Sequence, residues 1–275
     1  MKDLQEAFRE QGIVRIRGAL DEHAQKLADE AYCWSLNHPG PGARSVLAGE
    51  VGEFYQDHAN PEAFPVYRPL LCETGLAELV AGVLGSNSLW LLYEQIWLKE
   101  GTDTFRTPWH QDLPYVPMSG DHLATAWINL DPVARHDSLE FILGSHRGPL
   151  FNPTAFQASD PSAAMFAPGI WPALPDIDAA PDRWPTASWE ISPSDIIVFH
   201  PAILHGGAAT VEGGRRRTMS LRFFGDRAFC AKRPEQGLAE SDRLTTDDGR
   251  GDPMVVMARK PEGTVFRHPD FPRLC

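Results

Sequence analysis

Cysteine is scarce in this chain, and what there is lies scattered. Four occur in 275 residues, at Cys33, Cys72, Cys230 and Cys275, with no CxxC pair. This argues against a disulfide framework or a cysteine-ligated zinc site and fits free thiols in a reducing compartment. No run of 18 apolar residues occurs, and the opening MKDLQEAFREQG lacks the apolar core of a signal peptide. A cytoplasmic protein is therefore expected. Positive charge is in deficit: 25 Lys and Arg against 37 Asp and Glu give a net charge of −12. Such a surface repels phosphate backbones and anionic lipids, so neither nucleic acid nor membrane is an expected partner. A small-molecule substrate is, and the oligomeric state stays open. There is no GxGxxG and no strand–helix alternation, which removes a Rossmann domain. Internal repeats and low-complexity tracts are also missing.

What is present is a helical opening followed by many short strands. DLQEAFREQG reads as a helix closed by Gly12, IVRIRG as a strand, and EHAQKLADEAYCWSL as a helix capped by Asp21 and stopped by NHPGPG. Beyond lie strand candidates SLWLLYEQIWLKEG, HLATAWINLD, SLEFILG, ASWEIS, DIIVFH and RRTMSLRFFGD. Two of them alternate informatively. Thr125, Trp127 and Asn129 share a partly polar face, opposite Ala124, Ala126 and Ile128; Arg216, Thr218, Ser220 and Arg222 share another, opposite Arg217, Met219, Leu221 and Phe223. The expected architecture is mainly β with flanking α-helices, a sandwich or barrel. One domain spans 1–275, with a helical part to about 85, a β core over about 86–226 and a tail over 227–275. Residues 149–188 interrupt the core with recurrent prolines yet carry many Phe and Trp, so they are expected to cover the mouth of the barrel.

The chemistry concentrates in TPWHQDLPY. In an extended strand His110 and Asp112 point the same way and can bite one ion. An HxD alone is weak; a second, HPD at 268–270, sits in the tail with no histidine after it and reads as structural. The first is followed downstream by IIVFHPAILHGGA. Two histidines and a carboxylate on a β scaffold form the facial triad that leaves three metal positions open. His200 and His205 compete as the third ligand, and the small residues of HGG favour His205. A zinc hydrolase and a non-catalytic jelly-roll protein that binds a metal or ligand are rival readings of the same residues.

In order and spacing, FREQGIVRIRGAL, TPWHQDLPY, ATAWINLDPV, SLEFILGSHRG, VFHPAILHGG and RRRTMSLRFFGD resemble the phytanoyl-CoA dioxygenase family of iron(II)- and 2-oxoglutarate-dependent oxygenases. The resemblance implies a double-stranded β-helix, a cupin-like jelly roll. It implies Fe(II) held by His110, Asp112 and His205, with 2-oxoglutarate and O2 as co-substrates. The co-substrate arginine, eleven residues after the distal histidine, falls on Arg216, whose planar fork suits a carboxylate. Arg217 lies on the apolar face. Trp127, Gln111 and Gln95 match further co-substrate positions; Gly207 stands where a relative has serine; Thr125 and Asn129 share the face of Trp127. Asp112 favours hydroxylation over halogenation, since halogenating relatives have a small residue there. For the substrate, Arg222 is a candidate anion clamp, and Tyr115, Trp109 and the tryptophans of 149–188 are candidates to surround an ammonium group. The leading expectation is a small polar metabolite, an aminophosphonate such as 2-aminoethylphosphonate or its N-methylated form. Another natural product, an amino acid or an acyl-CoA is the alternative.

Overall fold

The computed structural model describes residues 1–49, 52–101, 106–156, 160, 162–207, 214–233 and 252–275. In chain order the elements are α1 (Lys2–Gln11), β1 (Ile13–Ile16), α2 (Glu22–Asn37), β2 (Arg44–Gly49), β3 (Gly52–His58), α3 (Phe64–Glu73), α4 (Leu76–Leu84) and β4 (Leu89–Gly101). They continue with β5 (Thr107–His110), β6 (Met118–Ser119), β7 (Leu123–Asn129), β8 (Leu139–Ile142), β9 (Thr186–Ala187), β10 (Ile196–Phe199), β11 (His205–Gly207), β12 (Gly214–Gly225), β13 (Phe229–Cys230) and α5 (Pro253–Ala258). A seven-stranded sheet, β1-β10-β7-β12-β4-β3-β2, faces a four-stranded sheet, β5-β11-β8-β9, and β13 pairs with β6. The pairings between named strands are antiparallel. This is a mainly β jelly roll. Among the described residues no helix is long and apolar enough to cross a membrane.

Helix ends follow local chemistry. Asp21 accepts from the Ala24 N–H at 2.8 Å and caps α2. Gly12, in the left-handed region at φ 79°, closes α1. The helices then cover the outer face of the large sheet. Phe8, Ala28, Tyr67, Leu70 and Val80 pack there against Ala126, Ile128, Ile196, Val198, Met219 and Leu221. The apolar parity of β7 and β12 is thus explained by helices, and their mixed parity turns toward the space between the sheets. Ile197, Phe199, Phe141 and Ile203 fill part of that space with an apolar cluster.

Three readings need correction. The helical part to about residue 85 also holds the hairpin β2–β3, which extends the large sheet beside β4 at the edge opposite the expected strand β1. ASWEIS is not a strand; Thr186–Ala187 pairs with β8, and Ile191 makes only an isolated bridge to Val133. The segment expected as a tail is packed into the fold. Leu89 N–H donates to the Cys275 carbonyl, Leu274 N–H to that of Leu89, and Phe266 and Phe271 are buried.

The hairpin is anchored to β4 by a buried carboxyl. Glu94 points to the outer side and accepts from the Asn60 N–H at 2.8 Å. Burial raises its pKa from 4.5 to about 7, the Asn60 bond opposing and Asp57 adding. The native state therefore holds a proton that the unfolded chain releases above about pH 4.5, so this group makes stability fall as pH rises toward 7. Glu94→Gln keeps the acceptor and removes the ionisation. It is expected to flatten the stability profile between pH 4.5 and 7 and to gain up to about 3 kcal/mol above it. Urea unfolding at pH 5 and pH 8 checks this; an unchanged difference between the two would refute it.

Candidate metal centre

His110 ends β5 and His205 begins β11, and the two are direct cross-strand partners. Asp112 follows β5 by two residues. His110 Nε2 lies 3.5 Å and His205 Nε2 3.9 Å from the same oxygen, Asp112 Oδ1. Among the described residues these three are the group able to converge on an ion, with ligand atoms within 4.8 Å of one another. The tautomers suit this. His110 Nδ1 is 2.8 Å from the Pro108 carbonyl and His205 Nδ1 3.0 Å from that of Ile203. A carbonyl only accepts, so both Nδ1 atoms carry the hydrogen and both Nε2 lone pairs face inward, as a metal requires. Phe141 and Phe199 pack on the His205 ring, with centroids 5.8 and 4.9 Å away.

The HGG sequence has a steric reason. A Cβ on Gly206 would lie 3.0–3.2 Å from backbone atoms of Thr107, Pro108 and Trp109, so only glycine lets β5 come so near. Gly207 sits at φ 93°. Between the pairs His205↔His110 and Gly207↔Thr107 the β5 side carries one extra residue, a bulge. It brings Thr107 to the inner side with His110 and leaves Trp109 outside.

His200 is separate from this group. Its Nε2 donates to the Gly120 carbonyl at 3.1 Å and its Nδ1 accepts from the Ala202 N–H at 3.1 Å. Burial lowers its pKa to about 4, which keeps it neutral. The HPD at 268 is a local turn, with the Asp270 N–H donating to His268 Nδ1 at 3.3 Å.

Burial alone would raise the Asp112 pKa, but Arg222, the His110 hydrogen bond and His205 hold it far below the carboxylate range. Arg222 is the main cause: Nη2 donates to Asp112 Oδ2 at 3.2 Å and Nη1 to Ser220 Oγ at 3.1 Å. Its guanidinium lies 4.9 Å from the Tyr93 ring centroid and 5.8 Å from that of Trp97. Arg222 thus occupies one oxygen of the carboxylate and leaves the other toward the histidines.

Arg216 lies on the same inner face toward the start of β12, buried, with Nη1 donating to the Asp137 carbonyl at 2.6 Å. Burial lowers its pKa to about 10, Asp137 opposing. Its cross-strand partner is Lys99, also buried and beside Thr107 Oγ1 at 3.5 Å. Burial, then Arg216, push the Lys99 pKa well below the usual lysine value. Sequence reasoning missed Lys99. The only available signal was its parity with Gln95 and Trp97 in LYEQIWLKEG. Arg217 points out, forking Asp131 with Nη2 at 2.9 Å and meeting Asp29.

The remaining candidates divide. Trp127 lies against Trp97 with centroids 4.9 Å apart, inside the barrel. Asn129 Oδ1 accepts from Thr218 Oγ1 at 3.2 Å, next to Arg216. Gln95 is inward on β4, opposite Ser220. Thr125 is fully buried, its hydroxyl unpartnered, in a recess shared with Asp112 and Arg222. Gln111 turns away from the metal position. Its Nε2 donates to the carbonyls of Ala202 (2.7 Å) and Pro149 (3.2 Å), and its Oε1 accepts from the Phe151 N–H at 2.9 Å. It therefore ties the start of segment 149–188 to the site.

Trp109 requires correction: it packs outside the small sheet with Ile142, Ile177 and Leu204, and its indole donates to Asp178 at 3.0 Å. Trp184 packs with that cluster too, so these tryptophans make no cage at the metal. The Tyr115 hydroxyl donates to the Thr154 carbonyl at 2.7 Å. The ring that segment 149–188 does bring to the triad is Phe156, edge-on to His110 at 5.0 Å, on a backbone held at φ 47°. Residues 157–159 and 161 lie outside the described residues.

Comparison with known proteins agrees with this geometry. The family model described as Phytanoyl-CoA dioxygenase (PhyH) matches residues 8–218. A "Probable phytanoyl-CoA dioxygenase" of Caenorhabditis elegans is 27% identical over 159 residues, 55% of this chain and 48% of that protein. The peroxisomal phytanoyl-CoA dioxygenase of Bos taurus is 28% identical over 125 residues, 45% of this chain and 35% of that one. The aligned part is thus half or less of these relatives. Among solved structures, the epimerase SnoN in complex with Fe3+, alpha ketoglutarate and nogalamycin RO superposes with a TM-score of 0.71. It is 21% identical, with 100% of this chain and 98% of that chain covered, a likeness of fold.

Proposed function

The chain belongs to the phytanoyl-CoA dioxygenase family, and from that premise we propose an iron(II)- and 2-oxoglutarate-dependent dioxygenase that hydroxylates a C–H bond of a small polar metabolite. The observation that carries this reading is the convergence of His110 Nε2, His205 Nε2 and Asp112 Oδ1, with the buried Arg216 farther along the same interior. Two neutral imidazoles and one carboxylate fit ferrous iron and leave positions for a bidentate keto acid and oxygen.

When bound, iron and 2-oxoglutarate supply oxygen activation, with decarboxylation of the co-substrate to succinate. The protein's part is binding and orientation. Arg216 would hold the far carboxylate of the co-substrate, and Lys99 would add a second positive group beside it. Trp127, leaning on Trp97, walls the path between that end and the triad. Arg222 fixes the Asp112 carboxylate, so one oxygen faces the metal position. Gln111 and Phe156 tie segment 149–188 to the site, where it covers the mouth and excludes water.

An aminophosphonate is the leading single substrate within this reading. Arg222 beside the triad, itself seated against the Tyr93 and Trp97 rings, suits an oxyanion. The test is oxygen- and iron-dependent succinate release over aminophosphonates, amino acids, betaines and acyl-CoA esters. Release stimulated by an aminophosphonate supports the full reading. Stimulation by acyl-CoA alone overturns the small-metabolite part, and turnover that persists without 2-oxoglutarate overturns the oxygenase.

A further inference from the structure

The interior of the barrel inverts the charge of the protein. The chain is net −12. Yet among the described inward positions of β3, β4, β7 and β12 there is no carboxylate. The charged or titratable side chains there are Lys99, Arg216, Arg222, His58 and the phenol of Tyr93. The carboxylates that adjoin this wall face elsewhere. Glu94 and Asp57 lie on the outer parity, Asp57 accepting from the Gly40 and His58 N–H groups. Asp112 comes from the opposite side and is already shared between Arg222 and the histidines.

These basic groups form two poles. One is Arg216 with Lys99, direct cross-strand partners. The other is Arg222 with His58, both against Tyr93: the guanidinium is 4.9 Å and the imidazole 6.1 Å from its ring. Arg222 lies six positions beyond Arg216 on β12, about 20 Å along an extended strand. A carboxylate held at Arg216 therefore cannot also fill the second pole.

The second pole is constructed for a ligand. Arg222, its side chain only 11% exposed, uses one N–H on Ser220 and one on Asp112, which leaves three of the five donors of a guanidinium. His58 is seated by a glycine: a Cβ on Gly42 would lie 2.8 Å from its Nδ1. That Nδ1 is buried without a hydrogen-bond partner. At the rim Arg44, exposed on β2, faces Gln56; with the Gln56 amide turned so that its oxygen meets the guanidinium, Oε1 accepts from Nε at 2.8 Å and Nη2 at 3.1 Å.

We infer that Arg222, His58 and Arg44 form an oxyanion receptor beside the metal, and that the substrate carries a carboxylate or a phosphonate-type group that docks there while its reacting carbon lies at the iron. This rests on the oxygenase reading for the reaction but not for the binding. The depressed pKa of His58, about 4, caused by burial and then by Arg222 and Arg44, agrees with a positive surrounding field.

The experiment is calorimetric titration of the anaerobic protein loaded with ferrous iron and saturating 2-oxoglutarate, which blocks the first pole. The probes are methylphosphonate, inorganic phosphate and acetate, with glycerol as the neutral control. Saturable binding of an anion but not of glycerol is expected. Arg44→Met, at an exposed position, should weaken it several-fold, and His58→Ala or Arg222→Gln at least tenfold. Preference for methylphosphonate and phosphate over acetate assigns the phosphonate class, and the reverse assigns carboxylates. Binding of no anion, or anion binding unchanged in both Arg44→Met and His58→Ala, overturns the receptor. The oxygenase reading is scored separately by succinate release, so either can fail alone.

Discussion

His205→Ala is expected to abolish iron binding and all 2-oxoglutarate turnover, and His200→Ala to leave both in place. The two imidazoles lie five residues apart in one segment and are both buried, so composition does not separate them. Their hydrogen bonds do. His205 uses only Nδ1 on the protein, at the Ile203 carbonyl, and turns Nε2 to Asp112. His200 uses both nitrogens, at the Gly120 carbonyl and the Ala202 N–H, and has no lone pair left for a metal. His110→Ala and Asp112→Ala should match His205→Ala, since two remaining ligands do not retain the ion. Equilibrium dialysis with ferrous iron and the absorption spectrum of the cobalt-substituted protein measure this directly, and circular dichroism should show the jelly roll intact. His200→Ala strands the partly buried Gly120 carbonyl and the buried Ala202 N–H, the latter at a cost on the order of 1–3 kcal/mol. It should therefore lower the unfolding midpoint without touching the metal. Loss of metal binding in His200→Ala but not in His205→Ala would overturn the assignment.

How far the sequence led is clearest on β7 and β12. Alternation separated Thr125, Trp127 and Asn129 from Ala124, Ala126 and Ile128, and Arg216 from Arg217, and the structure places them on those opposite faces. What parity could not say is which face is inside. In an ordinary half-buried sheet the mixed face meets water. Here the apolar face is covered by helices and the mixed face lines the interior, so polar side chains are buried with chemistry to do. Pairing at a distance was out of reach. Nothing local in LKEG announces that Lys99 will lie opposite Arg216, and nothing in RSVLAGEVGEFYQDH announces an edge hairpin carrying His58 to the site. Trp109 failed for a subtler reason. The bulge in β5 rotates one residue out of register, and Gly206, the feature that permits it, lies on a different strand. Phe156 belongs to a proline-rich loop with no periodicity, so aromatic content marked the loop as packed but not which ring meets His110.

Arg216→Ala is expected to raise the KM for 2-oxoglutarate by about 30- to 1,000-fold, the loss of a buried, charge-assisted, bidentate contact on the order of 2–4 kcal/mol. Arg216→Lys should recover only part, because an ammonium keeps the charge but not the fork. Arg217→Ala separates this from a general effect of charge on the strand. Its guanidinium forks Asp131 and reaches Asp29 outside the barrel, so its loss should lower stability and leave the KM near wild type. Lys99→Met preserves length and packing against Phe54, whose ring lies 4.5 Å from Nζ, and should raise the KM less than Arg216→Ala does. In the Arg216 and Lys99 variants kcat at saturating co-substrate should fall far less than kcat/KM, since the far carboxylate is remote from the reacting atoms. Succinate release against 2-oxoglutarate concentration, at fixed substrate, gives all four values. Equal KM effects in Arg216→Ala and Arg217→Ala would show that the charge of the strand matters and its direction does not, and the co-substrate site would have to be sought elsewhere.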